Sequence, residues 1–166
     1  MRIRIVCPVS CAYEGDAAFV SIPSTDGEFG VLPAHSSEIC TIDRGYVRVS
    51  DKAMGTVDHT FAVAGGYAQV ADDVVTVLAE RACDLATVDA DKVKADIQGF
   101  EEKLGNLSED DARRAYLYNE IAWCKLKLAQ KSNALAFDHL RTHHARDGPA
   151  TPGMLFERVD LGYYPR

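Results

Sequence analysis

The chain has 166 residues, 47% hydrophobic and 26% charged, a composition typical of a globular protein with one domain or two small ones. The formal net charge of −7 argues against general nucleic-acid binding, because the backbone phosphates of DNA and RNA must be neutralised by clustered Lys and Arg. No apolar run approaches the roughly 20 residues of a membrane-spanning helix, and no targeting segment is recognisable.

Residues 1 to about 85 are predicted to form short antiparallel strands, because polar and apolar residues alternate in segments bounded by turn residues. Residues 2–6 read RIRIV and alternate in this way. Regularly spaced short strands predict an all-β sandwich or barrel. The other predicted strands are residues 17–22, 30–32, 38–42, 46–49, 56–64, 67–71 and 74–80. The predicted turns are Glu14-Gly15, Asp26-Gly27, Arg44-Gly45, Gly65-Gly66 and Asp72-Asp73.

Residues 86–130 are predicted to form an antiparallel two-helix hairpin, because the apolar period changes beyond Cys83. Thr87 and Asp89 are candidate caps of the first helix, and Gly105-Asn106 is expected to end it. Residues 108–111 read SEDD and are predicted to begin the second helix with an acidic first turn. The apolar stripes are Val93, Ile97, Phe100 and Leu104 in the first helix, and Leu117, Ile121, Cys124 and Leu128 in the second. A row of small residues predicted to pack closely on another surface comprises Ala112, Ala115, Ala122 and Ala129.

Residues 131–166 are predicted to be an irregular C-terminal extension, because the helical period fades and residues 148–153 read GPATPG. The extension keeps apolar groups at residues 154–156 and 161–164 that could dock on another surface.

The five cysteines indicate a reducing compartment, since they cannot all pair and most lie in apolar segments. Cys7 and Cys11 could be half of a metal site, but no second Cys or His pair follows at ligand spacing. His139, His143 and His144 have a spacing that could bind a metal in principle, although a solvated tail accounts for them better. No metal site is therefore predicted. The cysteines are Cys7, Cys11, Cys40, Cys83 and Cys124.

No catalytic site is predicted from the sequence. Gly65-Gly66 lacks the Lys-Ser/Thr sequel of a P-loop, and no strand-GxGxxG-helix unit occurs. His35 lies beside two serines, but neither belongs to a nucleophile turn. We therefore expect a protein that is not an enzyme.

Four segments in order resemble the epsilon subunit of F-type ATP synthases, which is called delta in mitochondria. Residues 26–35 read DGEFGVLPAH, and the family carries an acidic residue followed by Gly-x-x-Gly-[Ile/Val]-[Leu/Tyr]-Pro-x-His. Residues 45–49 read GYVRV, residues 61–70 read FAVAGGYAQV and residues 73–82 read DVVTVLAERA, each in the family's order. The resemblance covers residues 1 to about 130. It implies a β-sandwich of residues 1–85, a helical hairpin of residues 86–130 and an unmatched extension of residues 131–166.

The resemblance implies a rotor subunit of the central stalk that binds the gamma subunit and the membrane ring of c subunits. Carried over residue by residue, the ring contact falls on Asp26, Glu28, Phe29 and Val31, and the gamma contact on His35 and Ser36. A turn that presents carboxylates suits a polar ring loop, while Phe29 and Val31 can anchor its inner side. Glu28 as a plain solvated turn residue, and His35 as a structural hydrogen-bonding residue, stay open as alternatives.

The hairpin is the regulatory candidate in this resemblance. In bacterial and chloroplast relatives it can extend along gamma toward acidic segments of the catalytic head and slow ATP hydrolysis. A solvated charge row accounts for the same pattern of cations equally well. The cations that would serve the brake are Arg113, Arg114, Lys125, Lys127 and Lys131.

Some relatives bind ATP through [Ile/Leu]-Asp-x-x-Arg-Ala at the start of the first helix. Residues 88–93 here read VDADKV, so Asp89 and Lys92 are the matching nucleotide-binding candidates. Lysine lacks the bidentate fork of arginine, Val93 replaces a small alanine, and Gly99 supplies no cation further along. Weak regulatory ATP binding is the most that we expect, and no other cofactor is predicted.

The expected location is peripheral, on the cytoplasmic face of the cell inner membrane, with membrane contact only through the complex. The expected partners are gamma, the c-ring and, when the hairpin extends, the catalytic head. An alternative from another class is a free-standing β-sandwich binding module for a peptide, a metal or a small ligand. That module would have no membrane-bound partner.

Overall fold

A computed structural model describes residues 1–8 and 10–144, with residue 10 and residues 131–144 as backbone only. Eight strands precede two helices, which confirms the predicted order of strands before helices, with a short 3-10 turn at Leu85–Thr87 between them. The strands are β1 (Arg2–Cys7), β2 (Ser10–Asp16), β3 (Phe19–Ser24), β4 (Gly27–Val31), β5 (Glu38–Thr41), β6 (Gly45–Ser50), β7 (His59–Ala71) and β8 (Val74–Asp84). The helices are α1 (Ala90–Gly105) and α2 (Arg113–His144).

The strands form a β-sandwich whose hydrogen-bonded order is β2-β1-β8-β7-β6-β3-β4, with β5 also paired to β7. Every pairing is antiparallel except that of β1 with β8, which is parallel. β2 and β4 therefore end the path, which leaves the residues of β4 accessible along one side.

The predicted turn at Gly65-Gly66 is wrong, because both glycines lie inside β7. Their positive φ angles of 66° and 107° bend the strand while it stays paired with β8. Residues before the bend pair with β6 and residues after it pair with β5. A Cβ on Gly66 would lie 2.0 Å from the carbonyl oxygen of Leu78, so only glycine fits there. The turn at Asp72-Asp73 is confirmed, with φ angles of 50° and 62° between β7 and β8.

The predicted turn at Glu14-Gly15 is also wrong, because these residues belong to β2, a strand that the sequence pattern missed. Gly15 pairs with Ile3 and Glu14 with Arg4. A Cβ on Gly15 would lie 2.6 Å from the Tyr13 hydroxyl oxygen, so the glycine makes room for a neighbouring side chain. Nothing in the local sequence distinguishes a glycine that makes room within a strand from a glycine in a turn.

The sandwich encloses a hydrophobic core to which none of the helix side chains that the structure describes contributes. Alternate residues of the strands point inward, as the period of two predicts. On β7, for example, Phe61 and Val63 are buried in this core, whereas Ala62 faces the hairpin. The core residues are Ile3, Ile5, Ala17, Val20, Ile22, Val31, Ile42, Val47, Val49, Phe61, Val63, Ala68, Val70, Val75, Val77 and Ala79.

The first helix has the caps that the sequence predicts. One carboxylate oxygen of Asp89 accepts from the backbone N–H groups of Asp91 and Lys92 at 3.0 and 3.2 Å, and Asn106 follows the last turn. Thr87 instead ends the 3-10 turn, and its hydroxyl donates a hydrogen bond to the backbone carbonyl oxygen of Asp84.

The second helix begins later than predicted, at Arg113, and its first turn carries no acidic residue. Asp111 accepts from the backbone N–H of Arg113 at 2.8 Å and so takes the capping role expected of residues 108–111. α2 continues to His144, past the predicted end at residue 130, and no glycine or proline interrupts residues 106–147. Residues 145–166 lie outside the described residues. Within the part that the structure describes, neither helix is long and apolar enough to cross a membrane.

We expect Gly66→Ala to destabilise the chain by about 3 kcal/mol or more, because a side chain there meets backbone and needs a strained φ. The control is Gly99→Ala in α1, where the added methyl group meets no atom within 4 Å. That change should stabilise the chain by about 0.5–1 kcal/mol. Urea unfolding followed by circular dichroism measures both, and equal midpoints would contradict the role of the β7 bend.

Candidate functional site

The acidic turn between β3 and β4 lies at the sandwich edge. Asp26 is exposed at the tip, and no cation of the described chain lies within ion-pair distance of its carboxylate. Glu28 is different, because its Oε1 accepts from the Ser21 hydroxyl at 2.5 Å and is ion-paired with Arg48. Its side chain is still 58% exposed. Of the two carboxylates, Asp26 is thus unpaired and Glu28 is held in place.

The two apolar residues predicted for ring contact behave differently from each other. Phe29 is half-buried, and its ring meets that of His35 edge-on at 5.2 Å between centroids. Val31 is fully buried in the sandwich core. Its side chain cannot touch a partner in this conformation, so its assignment as a contact residue is corrected to an anchor of β4.

The loop after β4 carries the two residues predicted to meet gamma. His35 and Ser36 are adjacent near the surface, and the Nδ1 of His35 lies 2.9 Å from the Ser36 carbonyl oxygen. Ala34, at a φ of 63°, donates its backbone N–H to Asp73 at 2.9 Å. The loop is therefore tied to the β7–β8 turn.

Exposed apolar residues near this loop were missed by the sequence analysis. Ile39 is 67% exposed and Tyr67 is 48% exposed, on the outward face that β5 and β7 share. Leu32, after β4, is 47% exposed. A groove of about 370 Å³ joins the acidic turn to β5 and includes Ile39 in its lining. The alternation of residues 38–42 could have indicated an exposed apolar residue on this strand, because one side of each strand must face outward.

The hairpin is docked on the sandwich through polar contacts around one aromatic side chain. Arg81 on β8 donates two hydrogen bonds to the Glu120 carboxylate, at 2.7 and 3.0 Å, and its guanidinium lies 4.8 Å from the centre of the Trp123 ring. The Tyr46 hydroxyl donates to the Leu126 carbonyl at 2.7 Å. These contacts fasten one side of α2 across β8 and β6.

Small residues of the sandwich, rather than of the helix, allow the close approach. Ala62 and Ala64 on β7 lie under Trp123 and Cys124 in a second hydrophobic cluster. The predicted alanine row of α2 does not serve this purpose, because Ala112, Ala115 and Ala129 are exposed. The predicted stripe is confirmed for Leu117, Ile121 and Cys124, which are at most 7% exposed.

The two arginines predicted for the brake are engaged within the hairpin itself. Arg113 donates to the Asp111 carboxylate and lowers the pKa of Asp111 to about 2, so the pair is ionised at neutral pH. Arg114 donates to the carbonyl oxygens of Leu104 and Leu107 at 3.2 and 3.1 Å and closes the link between the helices.

The lysines of the same set make looser contacts. The Nζ of Lys125 lies 3.8 Å from a Glu101 carboxylate oxygen, and the Nζ of Lys127 lies 6.0 Å from the centre of the Trp123 ring. The side chain of Lys131 is outside the described residues.

The nucleotide candidates are not gathered into a pocket by the described contacts. The carboxylate of Asp89 caps α1, and Lys92 is exposed one turn further along the helix. Their role in binding ATP stays a prediction.

No group of three or more His, Cys, Asp or Glu side chains in the described part of the chain could hold a metal ion. All five cysteines are free thiols. The side chains of His139, His143 and His144 lie outside the described residues.

Comparisons with known proteins agree on one family. The family model described as the β-sandwich domain of the ATP synthase delta/epsilon chain matches residues 1–84. An ATP synthase epsilon chain of Hyphomonas neptunium is 33% identical over 123 residues, covering 74% of this chain and 90% of that protein. An ATP synthase epsilon chain of Bacillus pumilus is 34% identical over 131 residues, covering 79% of this chain and 98% of that protein.

One solved structure shows the same fold. It is a chain in the cryo-EM structure of the Euglena gracilis mitochondrial ATP synthase, OSCP/F1/c-ring, with a TM-score of 0.61 and 22% identity. The match covers 77% of this chain and 79% of that one.

We expect Glu120→Gln to loosen the docked hairpin by about 1 kcal/mol, because it removes the charge from a bidentate pair that is partly exposed. Burial raises the pKa of the Cys124 thiol, so this residue reacts slowly while the hairpin is docked. Alkylation of Cys124 by iodoacetamide, followed by peptide mass spectrometry, should become about fivefold faster.

The matched control is Glu101→Gln, which removes a carboxylate that faces Lys125 within the hairpin. It should leave the alkylation rate of Cys124 unchanged. Equal rates in the two variants would show that the Arg81–Glu120 pair does not hold the hairpin down.

Proposed function

The chain belongs to the delta/epsilon family of F-type ATP synthase subunits, and we propose that it is a non-catalytic rotor subunit that links gamma to the c-ring and restrains ATP hydrolysis through its hairpin. The observation that carries the proposal is the separation of two hydrophobic clusters. The larger lies wholly within the sandwich, whereas the smaller joins sandwich and hairpin. The hairpin can therefore leave without opening the core that supports the linking surfaces.

The acidic turn is the proposed ring contact. Asp26 offers an unpaired carboxylate at the tip, and Glu28 offers one whose position is set by Ser21 and Arg48. Both suit a polar loop, and Phe29 beside them adds apolar surface. Val31 supports the turn from within the core.

The proposed gamma contact is the loop with His35 and Ser36 together with the exposed face of β5 and β7. Ile39 and Tyr67 on that face are large, apolar and at least 48% exposed. Aromatic side chains such as that of Tyr67 are enriched among the residues that supply most of the binding energy of protein interfaces. The loop is tied to Asp73, so it presents a defined shape.

The proposed brake is the hairpin in an extended conformation. Undocking would break the Arg81–Glu120 pair and expose Trp123, and it would leave α2 able to turn its cations toward an acidic partner. The contacts of Arg113, Arg114 and Lys125 lie within the hairpin, so undocking does not break them, and an acidic partner would compete with these contacts for the cations.

The proposed location follows from these partners. The subunit would be peripheral, on the cytoplasmic face of the membrane, and held there by the c-ring. The free-standing binding module, which the sequence alone left open, has no observation in its favour beyond the grooves of the sandwich.

We expect Glu28→Lys to lower the coupling of ATP hydrolysis to proton pumping, since charge reversal at an interface costs about 1–2 kcal/mol. Membrane vesicles that carry the assembled enzyme give both rates, one from phosphate release and one from quenching of a pH-sensitive dye.

The control is Arg48→Ala, which breaks the ion pair but keeps the carboxylate. It should leave coupling intact if Glu28 itself meets the ring. Loss of coupling in Arg48→Ala alone would mean that the pair only keeps the turn folded, and unchanged coupling in Glu28→Lys would remove the ring contact.

We expect deletion of residues 87–166 to raise ATP hydrolysis by the assembled enzyme. The rise should be about twofold or more if the braking conformation holds about half of the population or more. Deletion of residues 145–166 alone keeps both helices and should keep the brake. An unchanged rate in the longer deletion would discard the brake.

A further inference from the structure

One outward face of the sandwich carries both the acidic turn and the seat of the hairpin. The core residues of β6 alternate with Tyr46 and Arg48, so these two side chains point away from the core. Tyr46 pairs with Ala62, which lies under the hairpin. Arg48 pairs with Ser21 on β3, the strand that leads into the acidic turn. β6 therefore connects the turn with the seat of α2 on a single face of the sheet.

A continuous series of contacts runs along this face from the turn to α2. The Glu28 carboxylate is ion-paired with Arg48. The guanidinium of Arg48 in turn lies 5.6 Å from the centre of the Tyr46 ring. The Tyr46 hydroxyl donates to the Leu126 carbonyl oxygen at 2.7 Å. The acidic turn and the hairpin thus share neighbours, although they do not contact each other through Glu28 directly.

The place of the Arg48 guanidinium depends on Glu28. In the described part of the chain, no other carboxylate lies within ion-pair distance of Arg48. The nearby carboxylate of Asp43 accepts instead from the backbone N–H of Arg44, at 2.7 Å. The Arg48 side chain is 30% exposed. Without Glu28 its charged end would therefore be free to turn away from the Tyr46 ring into water.

Glu28 keeps room for a second cation. Its Oε1 accepts from Ser21 and from Arg48, whereas no group of the described chain donates a hydrogen bond to its Oε2. The side chain is 58% exposed, so Oε2 is open to a partner. A lysine or arginine of that partner would compete with Arg48 for the same negative charge.

We propose that Glu28, Arg48 and Tyr46 form a relay through which a cationic partner at the acidic turn loosens the hairpin. The partner draws Glu28 away from Arg48, and the guanidinium leaves the Tyr46 ring. The hydroxyl then loses the support that holds it at the Leu126 carbonyl. Because coupling between two sites is reciprocal, an undocked hairpin also leaves Glu28 more available to the partner. Only the identity of this partner as the c-ring rests on the proposed function.

Alkylation of Cys124 by iodoacetamide in the isolated full-length chain tests the first step of the relay. Glu28→Gln should make alkylation about twice as fast, because an ion pair at the surface contributes less than a typical hydrogen bond. The glutamine keeps an oxygen that can accept from Ser21. Asp26→Asn is the matched control, since it removes the same charge from the same turn outside the relay, and it should leave the rate unchanged. Equal rates in the two variants would overturn the relay.

A double-mutant cycle tests whether the effect passes through Tyr46. Tyr46→Phe removes only the hydroxyl and should make alkylation of Cys124 about fivefold faster. Adding Glu28→Gln to this variant should have no further effect, because the connection to Leu126 is already lost. A further doubling of the rate would show that Glu28 acts on the hairpin by another route, which overturns the relay.

Failure of the relay and failure of the ring contact give different results. The alkylation tests use the isolated chain and involve no partner, whereas the coupling of hydrolysis to proton pumping in Glu28→Lys tests the ring contact. Success in both alkylation tests with unchanged coupling would keep the relay and remove the c-ring as its partner. Failure in either alkylation test with lost coupling would keep the ring contact and remove the relay.

Discussion

The bend of β7 at Gly65-Gly66 is the constraint on which the rest of the structure depends. This single strand pairs with β8 along its length, with β6 before the bend and with β5 after it. The bend therefore lets one strand serve both parts of the sandwich, and it is possible only because Gly66 has no Cβ to meet the Leu78 carbonyl. Both proposed partner surfaces follow, since β7 carries Tyr67 on one side of the bend and the alanines beneath the hairpin on the other.

The docked hairpin is a second layer laid on a sandwich that is already complete. Ala62 and Ala64 leave a shallow surface that Trp123 covers, and Arg81 and Tyr46 supply polar contacts at its edges. Contacts of this kind are each worth little, because part of their charge faces water. An element attached in this way can detach while the core stays closed, which is the physical requirement for a regulatory arm.

The arginines at the start of the second helix are engaged by groups of the hairpin itself. Arg113 pairs with Asp111, and Arg114 satisfies carbonyl oxygens at the end of α1. Arginines that looked like part of a free row in the sequence are thus structural groups of the hairpin, and an acidic partner would compete with Asp111 and these carbonyl oxygens for them. The free energy difference between the docked and the extended hairpin is the difference between its contacts with the sandwich and its contacts with a partner.

The sequence by itself determined what local chemistry controls. Alternation located most strands, residues that tolerate positive φ located the turn at Asp72-Asp73, and carboxylate capping located the start of α1 at Asp89. The ordered motifs identified the family. Tertiary structure alone decided that Glu14-Gly15 and Gly65-Gly66 lie within strands, since a glycine in a strand and a glycine in a turn look alike until the partner strand is known.

The candidate site divides in the same way. The acidic turn was evident from residues 26–28, but the burial of Val31, the pairing of Glu28 with Arg48 and the role of Trp123 were not. Each of these depends on residues far apart in the chain that the sheet order brings together. Local periodicity records which side of an element is apolar, whereas only the folded chain decides what that side meets.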